Sequence, residues 1–126
     1  MLCVNPTDMF DFEKLEVYQI AKAVVHKSLR EIYSNAKIDP YLKDQWKAAS
    51  LSIILDLAEA TGRLLTEEKR QLINKSRSAV FECAAILETC KELEFLGKSE
   101  CEWYYEQYER LSKMLLAMYR SHDNKP

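Results

Sequence analysis

Glycine and proline are nearly missing from this sequence: 126 residues hold two of the first and three of the second. A β-sandwich or a Rossmann-type domain of this length needs many more turn residues, so neither fits. A glycine-rich loop that cradles phosphate is ruled out by the same shortage. No run of about 18 consecutive apolar residues occurs, so no segment is expected to span a membrane. Met1 to Pro6 lack the basic region and long apolar stretch of a secretory signal, which makes a cytoplasmic location the expectation. Histidine is scarce too. His26 and His122 are each preceded three residues earlier by Ala23 and Tyr119, not by glutamate, so the paired Glu-x-x-His motifs of a di-iron bundle are absent. The four cysteines, Cys3, Cys83, Cys90 and Cys101, form no C-x-x-C pair and match no zinc-finger spacing. Cys83 and Cys90 fall on one helical face among apolar neighbours and read as buried, reduced thiols. No P-loop, G-x-S-x-G or H-E-x-x-H pattern appears. The sequence thus predicts no catalytic residue, no metal, no cofactor and no enzymatic activity.

What is present is long-period helix. Hydrophobic residues make up 48 % of the chain, too many for disorder. After a loose arm over residues 1–10, Asp11 reads as an N-cap for a first helix from about 12 to about 35. Its apolar positions are Val17, Tyr18, Ala21, Val24, Val25, Leu29 and Ile32. Asp39-Pro40 restarts the chain as N-cap and first helical residue, and Gly62 marks the end of a second helix. Thr66 reads as the cap of a third, whose stripe is Leu72, Ser76, Ala79, Cys83, Leu87 and Cys90. Gly97 is expected to break it, and Ser99 with Glu102 forms an S-x-x-E capping box for a fourth. Tyr104, Tyr108, Leu111, Leu115 and Met118 then carry the four-three spacing of a bundle seam. The tail from 121 to 126 is expected to fray. The whole is one domain, 1–126: an all-α, antiparallel up-down four-helix bundle.

The second helix has more apolar surface than one buried face requires. Beside Leu42, Trp46, Ala49, Ile53 and Leu57 runs a second stripe through Ala48, Leu51, Ile54, Leu55 and Ala58. Leaving such side chains in water forgoes about 1.5–3 kcal/mol each, so this stripe predicts a subunit interface. A polar line, Gln45, Ser52, Asp56, Glu59 and Arg63, shares the helix and reads as a structural network rather than a carboxylate pair for acid–base work. The net charge is −2, but its distribution is uneven. Lys69, Arg70, Lys75 and Arg77 cluster without an intervening acid, and glutamates dominate from Glu82 to Glu109. Repeated around an oligomer axis, such basic patches, with Lys43 and Lys47 contributing, could hold a phosphate backbone.

Several segments, taken in order, resemble the bacterial four-helix-bundle family of rRNA intervening-sequence proteins, to which accessory proteins of diversity-generating retroelements are related. Phe12-Glu13-Lys14-Leu15-Glu16-Val17-Tyr18-Gln19 is similar to that family's "DL-x-V-[WY]-Q" opening. Gln45-Trp46-Lys47-Ala48-Ala49-Ser50-Leu51-Ser52-Ile53, continuing to Leu57-Ala58-Glu59-Ala60-Thr61-Gly62-Arg63, is similar to "Q-I-R-R-A-A-x-S-I…N-I-A-E-G-x-G-R". Leu93-Glu94-Phe95-Leu96 resembles "L-G-Y-L", and Leu111-Ser112-Lys113-Met114-Leu115 resembles "I-x-R-M-L". The family's paired arginines are Lys47 and Ala48 here. The resemblance implies a homopentameric ring and, for the retroelement members, binding of nucleic acid and of a reverse transcriptase. The resulting expectation is a homo-oligomeric scaffold that docks RNA, DNA or such an enzyme. The rival expectation is a protein-only adaptor working through the acidic third and fourth helices or through Trp103-Tyr104-Tyr105.

Overall fold

The structure, a computed structural model, describes residues 10–123. The rest of the N-terminal arm, including Cys3, and the last three residues lie outside the described residues. A 3-10 turn, Asp11–Lys14, precedes four α-helices: α1 (Glu16–Ser34), α2 (Pro40–Gly62), α3 (Thr66–Glu92) and α4 (Lys98–Ser121). No strand occurs among the described residues. Bonds between helices fix their directions. Lys69, at the start of α3, donates to the Ala60 and Thr61 carbonyls at the end of α2. Arg70 and Arg77, early in α3, reach the Tyr119 and Ser112 carbonyls late in α4. Successive helices therefore run antiparallel. α2 packs on α1 and α3, and α4 on α3 and α1, which closes a four-helix bundle.

The helix ends follow local chemistry, and three differ from the sequence reading. Asp11 caps nothing in α1. It opens the 3-10 turn, where Phe12 stacks on Phe10 and tilts against Tyr18, with ring centroids 5.6 and 4.8 Å apart. Gln19 Nε2 donates to the Glu13 carbonyl at 2.7 Å and ties that turn down. α1 consequently starts only after Leu15, which is extended and offers no side-chain cap. Thr66 lies inside α3, not before it. The extended Leu65 takes the cap position, its carbonyl accepting from Lys69 N at 3.1 Å. Glu67 and Glu68 do sit in the first turn, against the positive end of the helix dipole. The third correction concerns the α3–α4 turn. α3 stops at Glu92, ahead of Gly97, through a Schellman motif: Phe95 N donates to Cys90 O at 2.8 Å and Glu94 N to Lys91 O at 3.1 Å. The left-handed residue this motif demands is Glu94, with φ 60°, at a backbone cost of about 1–2 kcal/mol relative to glycine. Gly97 is instead the N-cap of α4, so Ser99 is already helical and the Ser99–Glu102 box does not form. A Cβ at Gly97 would lie 2.6 Å from a Glu100 carboxylate oxygen, which folds over the helix start.

The Asp39 cap forms as expected, accepting from Tyr41 N at 2.9 Å and Leu42 N at 3.3 Å. The core centres on Trp46, Tyr104 and Tyr108, surrounded by Val24, Val25, Ile53, Leu57, Ile73, Leu111 and Leu115. The second stripe of α2 divides. Leu55 is 60 % exposed, Leu51 and Ala58 are half-buried, and Ile54, expected to be uncovered, is only 8 % exposed. At 100° per residue Ile54 lies on the side of α2 that carries Lys47. Lys47 sits over the Tyr33 ring of α1, so that side faces α1 and the core absorbs Ile54.

Candidate functional site

The polar line of α2 splits into two separate pairs. Asp56 is 7 % exposed and accepts from Ser52 Oγ at 2.5 Å, while Lys75 of α3 approaches its other oxygen at 3.8 Å. Glu59 turns to the surface and binds Arg63 one turn on, a bond that raises the guanidinium pKa. Gln45 is exposed at the far end. The two carboxylates thus hold different partners. The Asp56–Lys75 contact ties α2 to α3.

The cations of α3 are also engaged within the subunit. Lys69 closes the end of α2, and Lys75 pairs with Asp56. Arg70 stacks on Tyr119, 4.1 Å from the ring centre, with Glu67 3.9 Å away. Arg77 bonds the Ser112 carbonyl at 3.0 Å and lies over Phe81. Guanidinium groups pinned between α3 and α4 act as clamps, with part of their hydrogen-bonding capacity already used. Lys43 and Lys47 sit apart from them, on the first turns of α2 beside α1.

Sequence reasoning overlooked the outer face of α1. Between Val17 and Arg30 this helix carries Lys22, His26, Lys27 and Arg30 and no acid. Lys27 lies over Trp103 at 5.0 Å. No ion pair holds Lys22, Arg30, Lys43 or Lys47 among the described residues. With Lys43 and Lys47 they form a cationic strip across α1 and the start of α2. The signal was there, as a stretch of 14 residues, 17–30, without a carboxylate, but it was interleaved with core positions and read only as an apolar stripe.

A hydrogen-bonded layer crosses the middle of the bundle and draws on all four helices. Ser28 Oγ of α1 lies 2.8 Å from the Val25 carbonyl and 3.0 Å from Ser50 Oγ of α2. Ser50 Oγ lies 3.7 Å from Cys83 Sγ of α3. Trp46 Nε1 donates to the Tyr108 hydroxyl of α4 at 2.9 Å. Burial pushes the Cys83 thiol up to about 12 and Cys90 to about 11, and it raises Tyr108 well above the ordinary phenol value. These groups stay neutral and inert: burial favours the thiol over the nucleophilic thiolate. Tyr104 differs from its neighbours, because its hydroxyl is buried with no hydrogen-bond partner among the described residues. Tyr104→Phe is expected to raise the unfolding free energy by about 1 kcal/mol, since a lost hydroxyl removes an unmet desolvation cost. Urea denaturation with an unchanged m value checks this; a loss of stability would mean that the hydroxyl has a partner.

The last feature is a groove of about 420 Å³ on the outside of the α3–α4 seam. Ala84 and Ala85 keep its floor low, Tyr105 forms a wall, and three glutamates, Glu88, Glu102 and Glu106, line its rim together with one lysine, Lys91. Among the described residues no His, Cys, Asp and Glu cluster suits a metal ion, and no helix is long and apolar enough to cross a membrane.

Comparison with curated proteins finds no match. Among solved structures, the chain is similar to a protein of unknown function from the S23 ribosomal protein family of Bacteroides thetaiotaomicron VPI-5482. The TM-score is 0.77 at 14 % identity, over 82 % of this chain and 97 % of that one, a likeness of fold. Residues 13–117 match the sequence pattern described as 23S rRNA-intervening sequence protein. That span runs from the 3-10 turn to the last turns of α4 and takes in the buried layer, the cationic strip and the groove, so the chain belongs to the 23S rRNA-intervening sequence protein family.

Proposed function

We propose that this protein is a non-catalytic, homo-oligomeric scaffold that docks nucleic acid, or a nucleic-acid enzyme such as a reverse transcriptase. The observation that carries the reading is the apolar surface left after four helices have packed. Leu55 is 60 % exposed, and Leu64 and Leu65, in the α2–α3 connection, are 95 % and 63 % exposed. Apolar surface of this kind marks an association site. A pentameric ring would cover it and bring five copies of the cationic strip round one axis, where their fields add. The α1 part of the strip, Lys22, Lys27 and Arg30, and not the start of α3, is the better phosphate contact in this reading, because Lys69, Arg70, Lys75 and Arg77 already serve the fold.

Binding to RNA and to DNA of equal length, measured across salt, tests the docking. Salt-sensitive association at low ionic strength is expected, and none at all would sink the direct-contact version. Replacing Lys22, Lys27 and Arg30 by Gln is expected to flatten the salt slope by about 0.7–0.9 per phosphate contact removed. The rival reading, a protein-only adaptor, is favoured by the acidic rim of the α3–α4 groove. A pull-down recovering one protein and no nucleic acid would support it.

A further inference from the structure

Two surface features of the subunit lack a counterpart, and they are complementary. The first is the α3–α4 groove. A smaller hollow of about 170 Å³ extends it, sharing Ala84 and Tyr105 and adding Phe81. Phe81 and Tyr105 are 55 % and 60 % exposed, although both are large aromatic side chains beside an alanine floor. None of the rim carboxylates, Glu88, Glu102 or Glu106, is paired with a cation among the described residues. The second feature is the outward edge of α2, where Ala48, Leu51 and Leu55 recur at three- and four-residue spacing and so form one ridge. Lys47 flanks that ridge and Lys43 lies one turn before it, two cations beside the one exposed acid at its head, Asp44.

We propose that the α2 ridge of one subunit seats in the α3–α4 groove of a second copy of this chain. Low alanines between aromatic walls take an aliphatic ridge, and a carboxylate rim takes the lysines beside it. A polyanion is disfavoured there by the same three glutamates. The ridge lies on the outer side of α2 and the groove on the α3–α4 seam, so a subunit cannot fill its own groove. The contact is therefore head-to-tail: each copy offers a ridge to one neighbour and a groove to the other, and closure gives a ring. This inference rests on the proposed self-association and names its surfaces. It also removes the groove as a free docking site for a basic protein segment.

Light scattering after size exclusion tests the contact, with circular dichroism confirming that each variant keeps its helices. Glu88→Lys/Glu102→Lys/Glu106→Lys is expected to run at the mass of one subunit, and so is Leu55→Glu. Like charges facing across a contact weaken it by at least ~100-fold. Adding Lys43→Glu/Lys47→Glu to the triple lysine chain is expected to restore the assembled mass, which a merely structural role of the glutamates would not predict. Filling the groove by Ala84→Trp is expected to dissociate the assembly as well. A wild-type chain that is itself monomeric at micromolar concentration overturns both this inference and the self-association beneath it. An assembled wild type that is indifferent to the triple lysine change and to Ala84→Trp overturns the ridge-in-groove contact alone. Failure of the charge swap to restore assembly overturns it too. So does saturable binding of a Leu/Lys amphipathic peptide to the groove of the intact wild-type assembly.

Discussion

With Cys3 replaced by serine, native protein at pH 8 is expected to react with a thiol reagent at Cys83 at least ~1000-fold more slowly than the unfolded chain. Two steps give the number. The thiolate is the nucleophile, and burial moves its pKa from 9.0 to about 12. At pH 8 the thiolate fraction therefore falls by about three orders of magnitude before access to the buried sulfur is considered. Cys90, moved to about 11, is expected to be slowed at least ~100-fold on the same argument. Mass spectrometry of alkylated peptides at successive times reads both sites at once. Rapid labelling of Cys83 in folded protein would show the bundle opening far more readily than its packing implies. The linked effect on stability has a definite sign. Each folded-state pKa is raised, so below pH 9 both states hold the proton and nothing is lost. Between pH 9 and about 12 the unfolded thiol ionises while the folded Cys83 resists, and stability declines as pH rises. Urea midpoints at pH 8 and pH 10.5 should differ in that direction.

Trp46→Ala is expected to lower the unfolding free energy by about 3–5 kcal/mol from the cavity and lost burial. Trp46 has no exposed surface and packs edge-on against Tyr104, with ring centroids 5.4 Å apart. The substitution also leaves the buried Tyr108 hydroxyl without the indole N–H, a further cost of about 1–3 kcal/mol. Domains are stable by about 5–15 kcal/mol, so the variant is expected to be largely unfolded or nearly so at room temperature. Trp46→Phe separates the terms, because it keeps most of the volume and loses the hydrogen bond. Denaturation of the pair by urea checks both. A loss under 2 kcal/mol for Trp46→Ala would mean that the neighbouring side chains collapse into the space.

Periodicity carried most of the fold. Tyr104, Tyr108, Leu111 and Leu115 were legible as a seam because their spacing leaves a single buried face, and all four are buried. Asp39-Pro40 was legible because both residues act locally. The failures came where tertiary packing outweighed local preference. Asp11 has the chemistry of a cap, yet Phe12 packing on Tyr18 draws the chain into a 3-10 turn. Gly97 looked like a breaker, but backbone bonds to Cys90 and Lys91 placed the left-handed residue at Glu94, against its intrinsic preference.

The charged and polar residues were legible only as a list. Run length marked Lys69 to Arg77 as a basic patch; it could not show that Arg70 and Arg77 stack on aromatic rings and bind α4 carbonyls. Nor could it show Lys43 and Lys47 meeting the unpaired cations of α1. Ser28, Ser50 and Ser76 are polar residues in otherwise apolar faces. Each is buried and bonded, Ser76 to the Ile53 carbonyl at 2.7 Å. Small hydroxyls with a local acceptor substitute for alanine at close helix crossings, and only the crossing reveals it.

The buried layer also bears on when the protein can fold during synthesis. Its partners are scattered from Ser28 in the first helix to Tyr108 in the last. A ribosome that has released only α1 to α3 exposes a chain in which Trp46 has neither its ring partner Tyr104 nor its acceptor Tyr108. The α2–α3 pair can form early through Ser76 and Asp56, but its widest aromatic side chain stays uncovered until α4 emerges. α4 is thus the helix that completes the core, and folding to the native state waits for its emergence from the ribosome.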